Sequence, residues 1–272
     1  MKLSGGAFMD FEIIDFHTHP FSDNEHNICA HKDIIAMDEA YSKDILMSMG
    51  ITKICGTVVA RDSEKYENAW DRISENNNEA LRLRDLYKGF YIPGFHIHPD
   101  FGEESITEIN RMAKEGVKLI GEIVPYMYGW KDYGSEGLSE ILNEAGRKNM
   151  IVSLHTLPEN ADGMEKMISE HPDVVFVGAH PGEYPTIMMH TDFAKKYENY
   201  YIDLSGTGIF RYGALRRLID SFGIERVLFG SDYPTCNPSA FVGGVLFDKT
   251  LTDAEKEKIF SLNAKKLLGT ED

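Results

Sequence analysis

The chain has 272 residues, 42% of them hydrophobic and 26% charged, an ordinary globular composition with room for one β/α barrel of about 250 residues and not for two. Its net charge of −16 and pI near 5.0 describe a surface that repels nucleic-acid backbones and anionic membranes. Three scattered cysteines, Cys29, Cys55 and Cys236, exclude a disulfide framework, no stretch approaches the roughly 18 apolar residues of a membrane span, and no apolar run near Met1 reads as a signal peptide, so a cytoplasmic setting is expected.

Residues 1–10 read as an N-terminal tail, with Met9 a second start, and 11–272 as one domain. Short apolar runs then alternate with longer amphipathic ones. In chain order the predicted strand and helix pairs are Phe11–Phe16 with Asp33–Met49, Lys53–Val59 with Ser63–Tyr87, Phe90–His96 with Ser105–Lys114, and Val117–Ile123 with Gly137–Lys148. The second half continues with Ile151–His155 and Gly163–Glu170, Val174–Ala179 and Ile187–Tyr197, Tyr200–Leu204 and Ala214–Phe222, then Arg226–Gly230 and Thr252–Leu268. The strands are continuous in Val, Ile, Leu and Phe, as buried parallel strands are. Thr252 and Glu255 have the spacing of a capping box. Gly50, Gly89, Gly116 and Gly223 stand where helices should stop, and Glu103-Glu104 reads as a solvated helix start.

Eight alternations predict a closed (β/α)8 TIM barrel or a doubly wound sheet. No G-x-G-x-x-G turn follows the first strand, so the barrel is preferred.

The strand ends carry the chemistry. After strand 1 comes Asp15-Phe16-His17-Thr18-His19, and two histidines two apart on extended chain face the same way. Strand 4 ends in Gly121-Glu122, strand 5 in His155, strand 6 in His180, and strand 8 in Gly230-Ser231-Asp232-Tyr233-Pro234. Each residue alone has a bland reading as a satisfied structural group. Together, four histidines and two carboxylates converge on the C-terminal face of a barrel, where active sites of this fold lie. Imidazole and carboxylate suit zinc and other first-row divalent ions, manganese and nickel included.

In this order the motifs resemble the amidohydrolase superfamily, and within it the amidohydrolase-related group called amidohydrolase 2. Tyr201-Ile202-Asp203-Leu204-Ser205-Gly206 and Asn263-Ala264 belong to the same pattern, which runs from Phe11 to Gly269. The resemblance implies a metal-dependent hydrolase that cleaves an ester, lactone, amide or related bond of a small molecule. It implies that His17, His19 and Asp232 hold one ion, that His155 and His180 hold a second, and that a strand 4 carboxylate, Glu122, bridges them. Lys118 is the other strand 4 candidate, on the same strand parity but lower. Asp232 is then the proton acceptor; with a single ion, His180 is the better base. Ser153 and Ser231 are expected to orient the ligands.

Loop residues His98, Tyr128 and Arg211, with Trp130 and Glu183 beside them, are expected to meet substrate, Arg211 as an anion contact. His26, Cys29 and His31 in the first long loop form either a third metal site or a lid. A homodimer is an expectation from size and acidity. The rival readings are a TatD-like metal-dependent nuclease, a single-metal decarboxylase of a small carboxylic acid, and a binding protein that keeps the fold without turnover.

Overall fold

The computed structural model describes residues 11–30, 39–60 and 64–270. The predicted tail at 1–10, His31 and the predicted helix starts at Asp33 and Ser63 lie outside the described residues. Eight strands run parallel in sequence order: β1 (Ile13–Thr18), β2 (Ile51–Gly56), β3 (Tyr91–Phe95), β4 (Leu119–Ile123), β5 (Ile151–His155), β6 (Val175–Ala179), β7 (Tyr200–Asp203) and β8 (Val227–Leu228). The sheet closes on itself: Phe16 N–H donates to the Phe229 carbonyl at 2.8 Å, and His19 N–H to that of Tyr233 at 2.7 Å. The result is a (β/α)8 TIM barrel.

Between the strands lie α1 (Glu39–Ser48), α2 (Ala69–Leu86), α3 (Gly102–Lys114), α4 (Glu136–Arg147), α5 (Ala161–Glu170), α6 (Tyr184–Lys196) and α7 (Ala214–Phe222). After β8 come α8 (Pro238–Leu246), α9 (Asp253–Glu257), a π turn (Lys258–Leu262) and α10 (Asn263–Leu268). Gly50, Gly89, Gly116 and Gly223 all take positive φ (86, 74, 76 and 73°), and Glu103 and Glu104 open α3 on its exposed side. The Thr252–Glu255 capping box forms in full.

Three expectations for the C-terminal part need correction. The last helix is not continuous from Thr252 to Leu268; the π turn leaves the Ile259 carbonyl to accept Phe229 N–H at 2.9 Å, so the break joins the helix to the barrel wall. That bond also ends β8 early. Helix α8 is absent from the sequence reading because Asn-Pro-Ser and Gly-Gly punctuate it, yet Asn237 caps it by accepting Ser239 N–H.

All eight strands meet in one inner cluster, which includes Ile14, Phe16, Cys55, Leu119, Ile151, Val177 and Leu228, with Ile92 and Tyr201 against it and Ala264 and Leu268 closing it. The larger cluster packs strands against the helices and contains Ile120. Strand β4 therefore points Leu119, not Ile120, into the barrel. Its pairing with β5 then slips by one between Ile120 and Ile123, which turns Glu122 inward as well. Lys118 does not share Glu122's parity, and its Nζ lies beside Gly269, 3.5 Å from where a Cβ there would sit. Strand β1 does the same: Phe16 is inside, the register slips between Asp15 and Thr18, and His17 is inside too. Irregularities of this kind re-aim a side chain at the end of a ladder.

Candidate metal centre

Gly121 makes the β4 slip possible. Its φ is +91°, and a Cβ there would stand 2.1 Å from the Ser153 carbonyl oxygen, so no other residue fits. The Glu122 carboxyl that follows is 4% exposed and presents its two oxygens in opposite directions. Oε2 lies 3.6 Å from both His17 Nε2 and His19 Nε2. Oε1 lies 2.9 Å from His155 Nδ1 and 3.0 Å from His180 Nε2. Asp232 Oδ1 completes the first side, 3.8 Å from His17 Nε2 and 3.5 Å from His19 Nε2. All six residues predicted as ligands are thus brought together, five of them in two sets of donor atoms that share Glu122, with Asp232 beside the first set.

The electrostatics follow from that crowding. Burial alone would push Glu122 up, but the His17, His155 and His180 rings hold it well below the usual carboxylate range. Burial would push His17 down, but the Asp203 and Glu122 carboxylates carry it well above its ordinary value, and Glu122 likewise raises His155 against its burial. This is a cluster that gathers cationic charge around one buried carboxylate. His17 Nε2 is buried with no hydrogen-bond partner, aimed at the gap between Glu122 and Asp232. An imidazole lone pair and carboxylate oxygens facing a common gap are what a divalent cation takes, and it would replace the protons there. The residues fit such an ion.

A supporting layer holds the rings; it contains Ser231, expected to orient the ligands, and Asp203 and Ser205, which stand in the motif without an expected role. Asp203 Oδ2 accepts from His17 Nδ1 at 2.9 Å. Ser205 Oγ lies 3.1 Å from His17 Nδ1 and 3.0 Å from His180 Nδ1, so one hydroxyl touches both halves of the centre. His19 Nδ1 donates to the Thr57 carbonyl at 3.0 Å. Ser231 works one step further back: its N–H and hydroxyl donate to Asp15, which accepts His17 N–H at 3.2 Å. Burial pushes Asp15 up to about 7. Ser153 is buried within β5. The signal for Asp203 and Ser205 was their place at the end of β7, on the active face.

His180 and Asp232 share a further feature, a left-handed backbone with φ of 63 and 61°. The conformation disfavours residues with a Cβ by about 1–2 kcal/mol. Asp232 is held in it by its N–H bond to the His17 carbonyl at 2.8 Å.

The loop residues divide. A cavity of about 460 Å³ opens over His155, His180 and Asp232 and is bounded by Glu183, Thr207 and Cys236. Cys236 was not foreseen; its thiol points at Asp232 Oδ2 across 3.7 Å. His98 and Tyr128 do not line this cavity. His98 is buried and its Nε2 donates to the Tyr128 carbonyl at 2.9 Å, while the Tyr128 ring lies under the Arg72 guanidinium and its hydroxyl accepts from Asn76. Both belong to the scaffold, as does Trp130 between His98 and Tyr133. Arg211 stands at the rim, ion-paired to Glu183. His26 is paired with Asp23 and lies near Glu79; Glu79 is already held by Arg82 and Ser22, while His26 Nε2 is buried without a hydrogen-bond partner. Among the described residues no helix is long and apolar enough to cross a membrane.

A sequence comparison with curated proteins finds no match. Among solved structures the chain is similar to 2,6-dihydroxybenzoate decarboxylase from Rhizobium, with 15% identity, a TM-score of 0.75, and 95% of this chain and 99% of that one covered. It is similar to a dihydroxybenzoic acid decarboxylase from Polaromonas solved with manganese and 2-nitroresorcinol, with 13% identity, a TM-score of 0.72, and 95% and 97% covered. An uncharacterised TIM-barrel protein from Bordetella bronchiseptica gives 18% identity, a TM-score of 0.73, and 95% and 99% covered. At these identities the likeness shows the fold. The family model described as amidohydrolase matches residues 14–270, and with the ligand-bearing strand ends in the order described above, the chain belongs to the amidohydrolase family.

Proposed function

We propose that this protein is a hydrolase of a small molecule that uses two divalent metal ions, with Glu122 between them. The observation that carries this reading is the division of the Glu122 carboxylate, one oxygen facing His17 and His19 and the other facing His155 and His180. His17, His19 and Asp232 would hold one ion and His155 and His180 the other. Zinc suits these donors, and manganese is a close second. Such ions lower the pKa of water toward about 7 and polarise a carbonyl or phosphoryl oxygen.

The chain's own residues supply the rest. Asp232 sits at the mouth, its Oδ1 toward the histidines and its Oδ2 toward Cys236. It is placed to take a proton from the attacking water and return it to the leaving group as the scissile bond breaks. Asp203 and Ser205 keep His17 and His180 in one orientation through the reaction. The His155 edge of the centre is the most open of the ligands, 23% exposed, so substrate enters over it.

A second reading is a decarboxylase of a small carboxylic acid, favoured by the function of the two structural relatives named above. Against it, among the described residues no Arg or Lys lines the cavity over the centre to bind a carboxylate there.

Metal content per chain, measured by plasma mass spectrometry on protein purified without chelator, decides between them. About two equivalents, falling to one or fewer in Glu122→Gln, with turnover on an ester, lactone and amide panel, supports the hydrolase. One equivalent that survives Glu122→Gln, with carbon dioxide released from hydroxybenzoates, would replace it with the decarboxylase.

A further inference from the structure

Beside the cavity over the metal centre, the start of α6 and the β7–α7 loop with the start of α7 form a second, open one of about 520 Å³, lined by Tyr184, Ile187, Arg211, Tyr212 and Arg217. Among the described residues its lining holds two guanidinium groups and no carboxylate, in a chain of net charge −16. Arg217 packs 5.5 Å from the centroid of the Tyr184 ring and donates to Met188 Sδ at 3.4 Å. Among the described residues no carboxylate pairs with it. The nine-residue helix α7 starts here. Its cap is Gly213, whose missing side chain leaves the first turn without a side-chain acceptor and opens onto empty space. Ala214 N–H donates to the Arg211 carbonyl at 3.0 Å, and the next backbone N–H groups of the helix start, those of Leu215 and Arg216, add to the positive field of Arg217.

The two cavities are neighbours. Glu183 lines the first and Tyr184, the next residue, lines the second. Arg211 reaches from the second to grip Glu183 with its Nε and one terminal nitrogen. That ion pair is the ridge between them.

We propose that the second cavity is an anion subsite that takes a carboxylate or phosphate group at the far end of an elongated substrate whose reacting end lies at the metal centre. Arg217 supplies the charge-assisted hydrogen bonds, the helix start adds N–H donors, and Tyr184 and Tyr212 give flat walls for the linker. Arg211, already neutralised by Glu183, sets the span over the ridge. The proposal names the substrate class for the hydrolase reading and rests on it.

The test titrates inorganic phosphate calorimetrically into metal-loaded wild type and Arg217→Gln, a change at an exposed position outside the metal centre. Loss of a charge-assisted partner predicts about tenfold weaker binding, with metal content unchanged. Equal affinity in the two proteins, or no binding by either, overturns the subsite. Wild type without bound metal would sink the hydrolase reading and still leave the Arg217 comparison readable. The second arm compares a neutral ester with the same ester bearing a terminal carboxylate. Arg217→Gln should raise KM for the charged ester alone and leave kcat in place. Weaker phosphate binding with an unchanged KM would assign the anion to a separate ligand and overturn the substrate half of the proposal.

Discussion

Asp203 Oδ2 lies 2.9 Å from His17 Nδ1, on the ring edge opposite the nitrogen that faces Glu122 and Asp232. The carboxylate therefore fixes which nitrogen carries the proton and which offers a lone pair to the gap. It is also fully buried and held below its ordinary value by the His17 ring, against the opposing effect of burial. Asp203→Asn keeps the shape and removes the charge. It should weaken metal binding by about 10- to 100-fold, the usual cost of losing a partner behind a ligand, while the barrel still folds. A chelator competition titration reads this directly, and an unchanged affinity would remove Asp203 from the account.

Gly206 bears on the other half of the centre. Its φ is +65°, and a Cβ there would stand 2.4 Å from His180 Nδ1, which is the atom Ser205 Oγ holds at 3.0 Å. Gly206→Ala must displace the ring or the loop. The expected result is loss of the ion that His155 and His180 would hold, with the His17 and His19 side intact, so about one equivalent remains. Retention of the full wild-type metal content would mean that His180 tolerates the movement and is no ligand.

Two buried histidines away from the metal gap set an acid limit. Burial pushes His96 and His190 each down to about 4 from an ordinary 6.5. A histidine depressed on folding stabilises the native state above 6.5, and that contribution is lost as pH falls toward 4, because the unfolded chain takes up the proton first. Each shift is worth up to about 3 kcal/mol by linkage. Stability by denaturant titration should fall between pH 6.5 and 4, and His190→Gln should make the fall shallower. Identical slopes in the two proteins would show that His190 is protonated as easily in the fold as outside it.

The barrel was legible because its strands are fully buried and need no polar partner inside the core. Their order and the eight repeats followed from that, and His17, His19, Glu122, His155, His180 and Asp232 followed from their places at strand ends. What alternation concealed was the inward turn of Glu122: a strict two-residue period would pair it with Ile120 and Lys118, whereas the slip at Gly121 pairs it with Leu119. Strand pattern carries side-chain direction only while the ladder is regular. The loop residues were less legible for a different reason. His98 and Tyr128 sit beside the site in sequence, but their hydrogen bonds go to backbone and to Asn76, and those partners are fixed by tertiary packing.

The raised values of His17 and His155 predict how metal binding depends on pH. Both are lifted by Glu122, and His17 also by Asp203, so in the metal-free protein they hold protons to higher pH than free imidazole does. A ligand must shed its proton before it can bind an ion. Affinity should therefore rise with pH from 6.5 upward, and each binding event near pH 7 should release protons to the buffer. Calorimetric titration of zinc in two buffers of different ionisation enthalpy measures that number. A positive count at pH 7 that shrinks as the pH is raised is the expected outcome. If no protons are released at pH 7, both rings are already neutral, and the charge that holds Glu122 low must come from elsewhere in the centre.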